Sequence, residues 1–285
     1  MVDHDLPFLA NISMLFTEVP FLDRPAAARN AGFDAIECWW PWPDRPVPSD
    51  GDVESFVLAV QRAGVRLVGL NVFGGDLAGA DAGVLSIPSR SNEFRDNLPV
   101  AVEIGRRLGV RGFTALYGCR VDGVDPQQQD ELAAEHIALA ADHAATIGAT
   151  IFVEPVSGPR PYPLRTAADA VRVVDRARAD DHPNVGLLCD LYHLATNGDD
   201  VPRAISTYAD RIAHVQLADS PGRGEPGRAI CRSPICSRRS RRRDTATGSA
   251  WSTRRPPTPP PACAGCRPPA ARPPDPASTT EGATT

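Results

Sequence analysis

The sequence predicts an α/β chain, a (β/α)8 TIM barrel that is incomplete because no eighth βα unit is visible, followed by a disordered tail. Three observations predict this. Strand-like apolar runs alternate with amphipathic stretches up to about residue 220, the pattern of a parallel sheet covered by helices. Several of the helical stretches end on glycine just before a strand, where glycine takes the left-handed conformation that closes a helix. Past Gly227 the apolar periodicity stops and arginine and proline accumulate.

The elements follow in order. FLANISML (8–15) is the first strand. A helix around Pro25–Ala31 ends at Gly32 and leads into FDAIECWW (33–40). A helix over 52–63 ends at Gly64 before VRLVGLNVF (65–73), and one over 94–108 ends at Gly109 before VRGFTALYG (110–118). A long helix over 126–147 ends at Gly148 before ATIFVEPV (149–156). Helices over 166–179 and 201–208 precede NVGLLCDLYH (184–193) and RIAHVQLAD (211–219). An open doubly wound sheet is the competing architecture. It would favour a glycine-rich phosphate loop at the first strand-to-helix turn, and MLFTEVPFLD has none.

Charge divides the chain at the same place as pattern. Residues 1–227 hold 19 Arg against 32 acids, a balance of −13, whereas 228–285 hold 11 Arg against 3, a balance of +8. The acidic part argues against a nucleic-acid footprint. There is no lysine, which excludes Schiff-base chemistry on that residue. No apolar run approaches the roughly 18 residues of a membrane span. The N-terminus MVDHDLPFLA lacks a basic-then-apolar leader, so a cytoplasmic protein is expected. Cys38, Cys119 and Cys189 are scattered, as buried thiols in a reducing compartment would be. A homo-oligomer is left open.

The tail, 228–285, contains no Leu, Val, Phe, Tyr or Met and holds 11 of the 29 prolines. It cannot bury enough apolar surface to offset chain entropy, so disorder is expected. Its RRSRRR run reads either as a nucleic-acid arm or as an artefact of translation. Cys263 and Cys266 have metal-knuckle spacing but neither a second pair nor a histidine partner. Back-translated with GC-rich codons and moved by one base, the tail from Arg228 can read as an amphipathic helix, a glycine cap and the strand V-G-L-E-Y. The Glu arises from the fixed codon of Trp251 and a Ser252 codon beginning AG. A single-base insertion or deletion near Gly227 would therefore have displaced an eighth βα unit.

In a parallel barrel the active site lies at the C-terminal strand ends. Three strands here end in oxygen donors: IFVE (Glu154), GLLCD (Asp190) and AHVQ (Gln216). Such donors converging on one mouth suit a hard divalent cation, Mg²⁺ or Mn²⁺. His193 lies three residues after Asp190, and His214 shares a strand face with Gln216. Each has a plainer reading. An acid at a strand end can be the N-cap of the next helix, and His193 can be a hydrogen-bonded structural residue. His136 and His143 sit within the long helix, packed or solvent-facing. Trp39, Trp40 and Trp42 read as core or as a wall of the mouth.

Together ANISMLF, GFDAIE, IPSRSNEFRDN, IFVEP, CDLYH and HVQLADSPGRGEPG resemble hydroxypyruvate isomerases and the similar 2-oxo-tetronate isomerases, which are xylose-isomerase-like TIM barrels. The resemblance covers about residues 8–227, and the out-of-phase V-G-L-E-Y extends it. It implies an isomerase of small hydroxy-oxo acids that works through an enediol. Glu154, Asp190 and Gln216 would be three of four metal ligands, with Glu154 also catalytic. His193 would bind substrate oxygens, and Arg223 and Glu225 would help close the site, Arg223 being the candidate partner of a substrate carboxylate. The fourth ligand and second catalytic Glu belongs on strand eight, where this chain has none. A ketose epimerase or an inositol-catabolism enzyme would use much the same constellation. An inactive barrel with a nucleic-acid-binding tail is the reading from another class. DNA-repair endonucleases of the same superfamily carry more histidine ligands and a basic face, which residues 1–227 lack.

Overall fold

Runs such as VGLLCD and RLVGLN form strands buried on both faces, which a closed parallel sheet surrounded by helices requires. A computed structural model describes residues 7–78, 81–224 and, as backbone alone, 249–251. Its strands and helices are β1 (Phe8–Asn11), α1 (Arg24–Asn30), β2 (Ala35–Cys38), α2 (Asp50–Ala63), β3 (Arg66–Asn71), α3 (Ser91–Leu108), β4 (Gly112–Thr114) and α4 (Pro126–Ala145). They continue as β5 (Thr150–Val153), α5 (Ala167–Ala179), β6 (Val185–Asp190), α6 (Leu191–Thr196), α7 (Val201–Thr207), β7 (Ile212–Leu217) and β8 (Ser249–Trp251). Neighbouring strands are parallel and the sheet closes in chain order, β1 to β8.

The TIM-barrel fold is as expected, but the predicted gap after β7 is not found. Ser249–Trp251 pairs with β1 (Phe8↔Ser249, Ala10↔Trp251) and with β7 (Val215↔Ser249, Leu217↔Trp251). The physical reason is that ladder bonds join main-chain groups. A short extended segment of almost any sequence can satisfy donors and acceptors that an open edge would leave unpaired. The boundary drawn at 227, the rest of the tail expected to be disordered, and the Cys263–Cys266 pair lie outside the described residues.

The helices begin and end where their chemistry requires. Ser49 caps α2 by accepting from Asp52 N–H, and Thr166 with Asp169 forms a capping box on α5. Gly64 and Gly109 close α2 and α3 at φ 66° and 76°, a region that side-chain-bearing residues avoid. Phe56, Phe94, Leu98 and Ile104 are fully buried on the inner faces of α2 and α3. Truncating such a phenylalanine to alanine costs about 3–5 kcal/mol. His136 of α4 is fully buried, donating from Nδ1 to Leu85 O (2.7 Å), accepting from Arg95 Nε (3.1 Å) and stacking on Phe94. The packed reading of that histidine holds. Among the described residues no helix is long and apolar enough to cross a membrane.

Candidate active site

Seven strands carry a buried polar residue at, or within one residue of, the same end of the barrel: Asn11, Glu37, Asn71, Thr114, Glu154, Asp190 and Gln216. Apolar side chains dominate the rest of the interior. Amides, acids and a hydroxyl therefore gather at the mouth where barrels carry their chemistry.

Asp190 shows how the local sequence builds this. The strand pattern predicted for 184–193 stops at Asp190 instead, because its Oδ1 accepts from the N–H groups of Tyr192 (2.8 Å) and His193 (3.3 Å) and starts α6. The N-cap reading is thus true of one carboxylate oxygen. The other, Oδ2, lies 3.7 Å from His193 Nε2 and 3.4 Å from Arg223 Nη2. That single turn of helix swings His193 into the mouth, where its Nε2 lies 3.9 Å from Glu154 Oε1. Ligand atoms of Glu154, Asp190 and His193 all fall within 4.8 Å of one another.

The histidine tautomer is fixed. Nδ1 of His193 accepts from the Ser157 main-chain N–H at 2.9 Å, with the Ser157 hydroxyl at 2.7 Å. A main-chain N–H can only donate, so the ring proton sits on Nε2 and faces the carboxylates. Burial pushes the His193 pKa down to about 4, against the pull of Asp190. The ring is therefore a neutral hydrogen-bond donor at pH 7, not a free nitrogen ligand. Burial also pushes the Glu154 carboxyl well above its ordinary range, and the neighbouring Asp190 adds to it while Arg223 opposes. Two buried acids this close are costly unless a proton or a cation is shared between them. Glu154 and Asp190 hence fit the donor set of a hard divalent ion.

Gln216 is the β-ladder partner of Asp190. Its side chain does not reach into the three-residue cluster by its nitrogen: Nε2 donates to Glu37 Oε1 at 2.6 Å. Arg223 sits in the loop after β7 at φ 53°, a strained conformation for a residue with a side chain. Its guanidinium lies over the Tyr192 ring, 5.0 Å from the centroid. Glu225 lies outside the described residues. Trp39 and Trp40 line a shallow cavity with Ser13 and Gly75 among the loops that follow β1, β2 and β3. Trp40 is also a buried member of the core, and the partly buried Trp42 packs edge-on against Phe56 at its margin.

Glu37, Asn11 and Ser157 are site residues that sequence reasoning missed. Glu37 carried the same signal as Asp190, an acid near a strand end, but CWW after it made the strand look longer than it is. Ser157 gave no signal in the sequence.

A sequence profile of the xylose isomerase-like TIM barrel family matches residues 25–248. The chain belongs to that family. This xylose isomerase-like barrel is 50% identical over 227 residues to a Streptomyces coelicolor protein that carries a provisional hydroxypyruvate isomerase name, covering 78% of this chain and 81% of the relative. It is 30% identical to the Escherichia coli hydroxypyruvate isomerase (78% and 83% covered) and to the 2-oxo-tetronate isomerase of Pectobacterium atrosepticum (77% and 80%). The resemblance read from the motifs is borne out. A solved structure described as an AP endonuclease, family 2, from Brucella melitensis superposes with a TM-score of 0.76 at 30% identity, covering 87% of this barrel and 93% of that chain.

Proposed function

We propose that this barrel is built as a metal-dependent isomerase of small hydroxy-oxo acids, with hydroxypyruvate and tartronate semialdehyde as its pair, acting in the cytoplasm. The observation that carries the reading is the meeting of Glu154, Asp190 and the Nε2–H of His193 in one buried mouth. The isomerase names of the relatives support it. Glu154, Asp190 and Gln216 would hold Mg²⁺ or Mn²⁺, which when bound supplies charge stabilisation for the two substrate oxygens.

The chain's own residues supply the rest. One proton moves from the hydroxymethyl carbon to the adjacent carbonyl carbon and a second from the hydroxyl to the former carbonyl oxygen, through an enediol, so no oxidant or reductant is consumed. Glu154, buried at the mouth beside His193, would take and release the carbon-bound proton. His193 donates from Nε2 to a substrate oxygen. Arg223 would balance the substrate carboxylate from the loop after β7, and Glu225, two residues further along the sequence, would help close the site.

A second carboxylate to deliver the proton belongs on strand eight. β8 ends at Trp251, the codon from which the out-of-phase Glu would begin. That coincidence supports a single-base shift near Gly227 that keeps a strand in place but removes its acid. We infer that the chain as written is impaired. The test is to assay hydroxypyruvate and free ketoses with Mn²⁺, using the chain as written beside a frame-repaired version. Turnover of hydroxypyruvate by the repaired protein, at least about 100-fold above the chain as written, is expected from loss of one proton-transfer group. Equal rates in the two would refute the impairment, and preference for a ketose would refute the substrate.

A further inference from the structure

Across the mouth from Glu154, a second buried cluster joins three strands. Glu37 of β2 is 4% exposed, Asn11 of β1 2%, His214 of β7 2% and Gln216 of β7 7%. Glu37 Oε1 accepts from Asn11 Nδ2 (2.9 Å) and Gln216 Nε2 (2.6 Å), and its Oε2 accepts from His214 Nε2 (2.8 Å). In the ring β8 and β1 stand between β2 and β7, so these bonds cross the lumen. The carboxylate is walled in: a side chain on Gly69, its ladder partner on β3, would begin 3.3 Å from Oε2. His214 is held from the other side by Phe152, its ring nearly parallel at 5.2 Å.

This geometry fixes more than position. A primary amide has a donor end and an acceptor end, and a carboxylate can only accept. By taking Nε2, Glu37 decides which end of Gln216 is left over. Among the described residues Gln216 Oε1 has no hydrogen-bond partner. Had the amide been turned over, an N–H would occupy that place and repel a cation. We propose that Glu37 is a positioning residue: its carboxylate holds the Gln216 amide by the nitrogen, so that the oxygen is the end offered to a divalent cation beside Glu154 and Asp190. This rests on the metal reading above, and the experiment separates the two.

The full chain is prepared with Glu37→Gln, with Gln216→Glu, and with both. Mn²⁺ affinity is measured by calorimetry, the thermal midpoint is recorded, and the side-chain amide signals of Gln216 are followed by ¹H–¹⁵N NMR in the metal-free protein. Loss of such an orienting partner weakens metal binding by about 10- to 100-fold, which is expected for Glu37→Gln together with a shift of the Gln216 amide signals. In the double variant the introduced amide can donate to the introduced carboxylate, so most of the affinity returns. Unchanged affinity in Glu37→Gln overturns the proposal. So does an affinity loss that the swap fails to rescue and that tracks the thermal midpoint, since a structural role alone would give that. If the parent chain takes up no Mn²⁺, the metal reading falls, and the amide signals alone decide: a shift in Glu37→Gln upholds the anchor and its absence removes it.

Discussion

The two flanks of β7 differ. On one, β7 pairs with β6 from Leu187↔Ile212 to Asp190↔Gln216, and two polar side chains of the mouth end up side by side. On the other, it pairs with β8 from Val215↔Ser249 to Leu217↔Trp251, and the segment Ser-Ala-Trp brings no carboxylate. Both flanks satisfy the main chain, and only one brings a second polar side chain beside Gln216. Closing a barrel asks little of sequence because every residue but proline has the same main-chain donor and acceptor. Furnishing its mouth asks for particular atoms at particular registers.

The largest expected effect tests the poorer flank. On the frame shift proposed above, restoring the frame after Gly227 should raise hydroxypyruvate turnover by about 10²- to 10⁴-fold, the usual worth of a positioned acid or base, as read in a coupled assay. The next separates the two duties of Asp190 on the richer flank. Asparagine is as good an N-cap as aspartate, so Asp190→Asn should keep α6 and shift the thermal midpoint little. Its Mn²⁺ affinity should still fall by tenfold or more. A midpoint that collapses would mean the charge serves the fold.

Strand pairing itself gives a smaller, graded comparison. Proline removes a ladder donor and is poorly tolerated in the middle of a sheet. Leu188→Pro in β6 should therefore prevent folding, whereas Ala250→Pro in β8 should leave a folded protein with a lowered midpoint, since only three residues pair there. Equal damage at both would erase the distinction.

The smallest effect lies far from either flank, at His136. Burial lowers its pKa, and the nearby Arg95 lowers it further. As pH falls below about 6.5 the unfolded chain takes up a proton that the folded chain resists, so stability is full above that pH and declines beneath it. His136→Gln should flatten that decline in urea titrations between pH 7 and 5. An unchanged slope would point to other groups.

The sequence made the strands and helices before Gly227 legible because strand alternation, caps and terminal glycines are local signals. The acid tips of β5 and β6 were legible for the same reason. Three things were not. α6 was hidden inside an apparent strand because Asp190 turns the chain through a cap whose strength depends on geometry. Glu37 was hidden because apolar residues follow it, and its partners on β1 and β7 are remote in sequence. β8 was hidden because main-chain pairing leaves no trace in side-chain pattern.

The Ser157–His193 contact has a consequence for elemental preference. An imidazole whose bare nitrogen is spoken for by a peptide group has no lone pair to lend, so the cluster of Glu154, Asp190 and His193 offers ions oxygen alone. Borderline-soft ions such as zinc and copper, which gain most from nitrogen, would find no foothold that magnesium or manganese lacks. One peptide N–H would thus tilt the site toward the harder, more weakly bound metals.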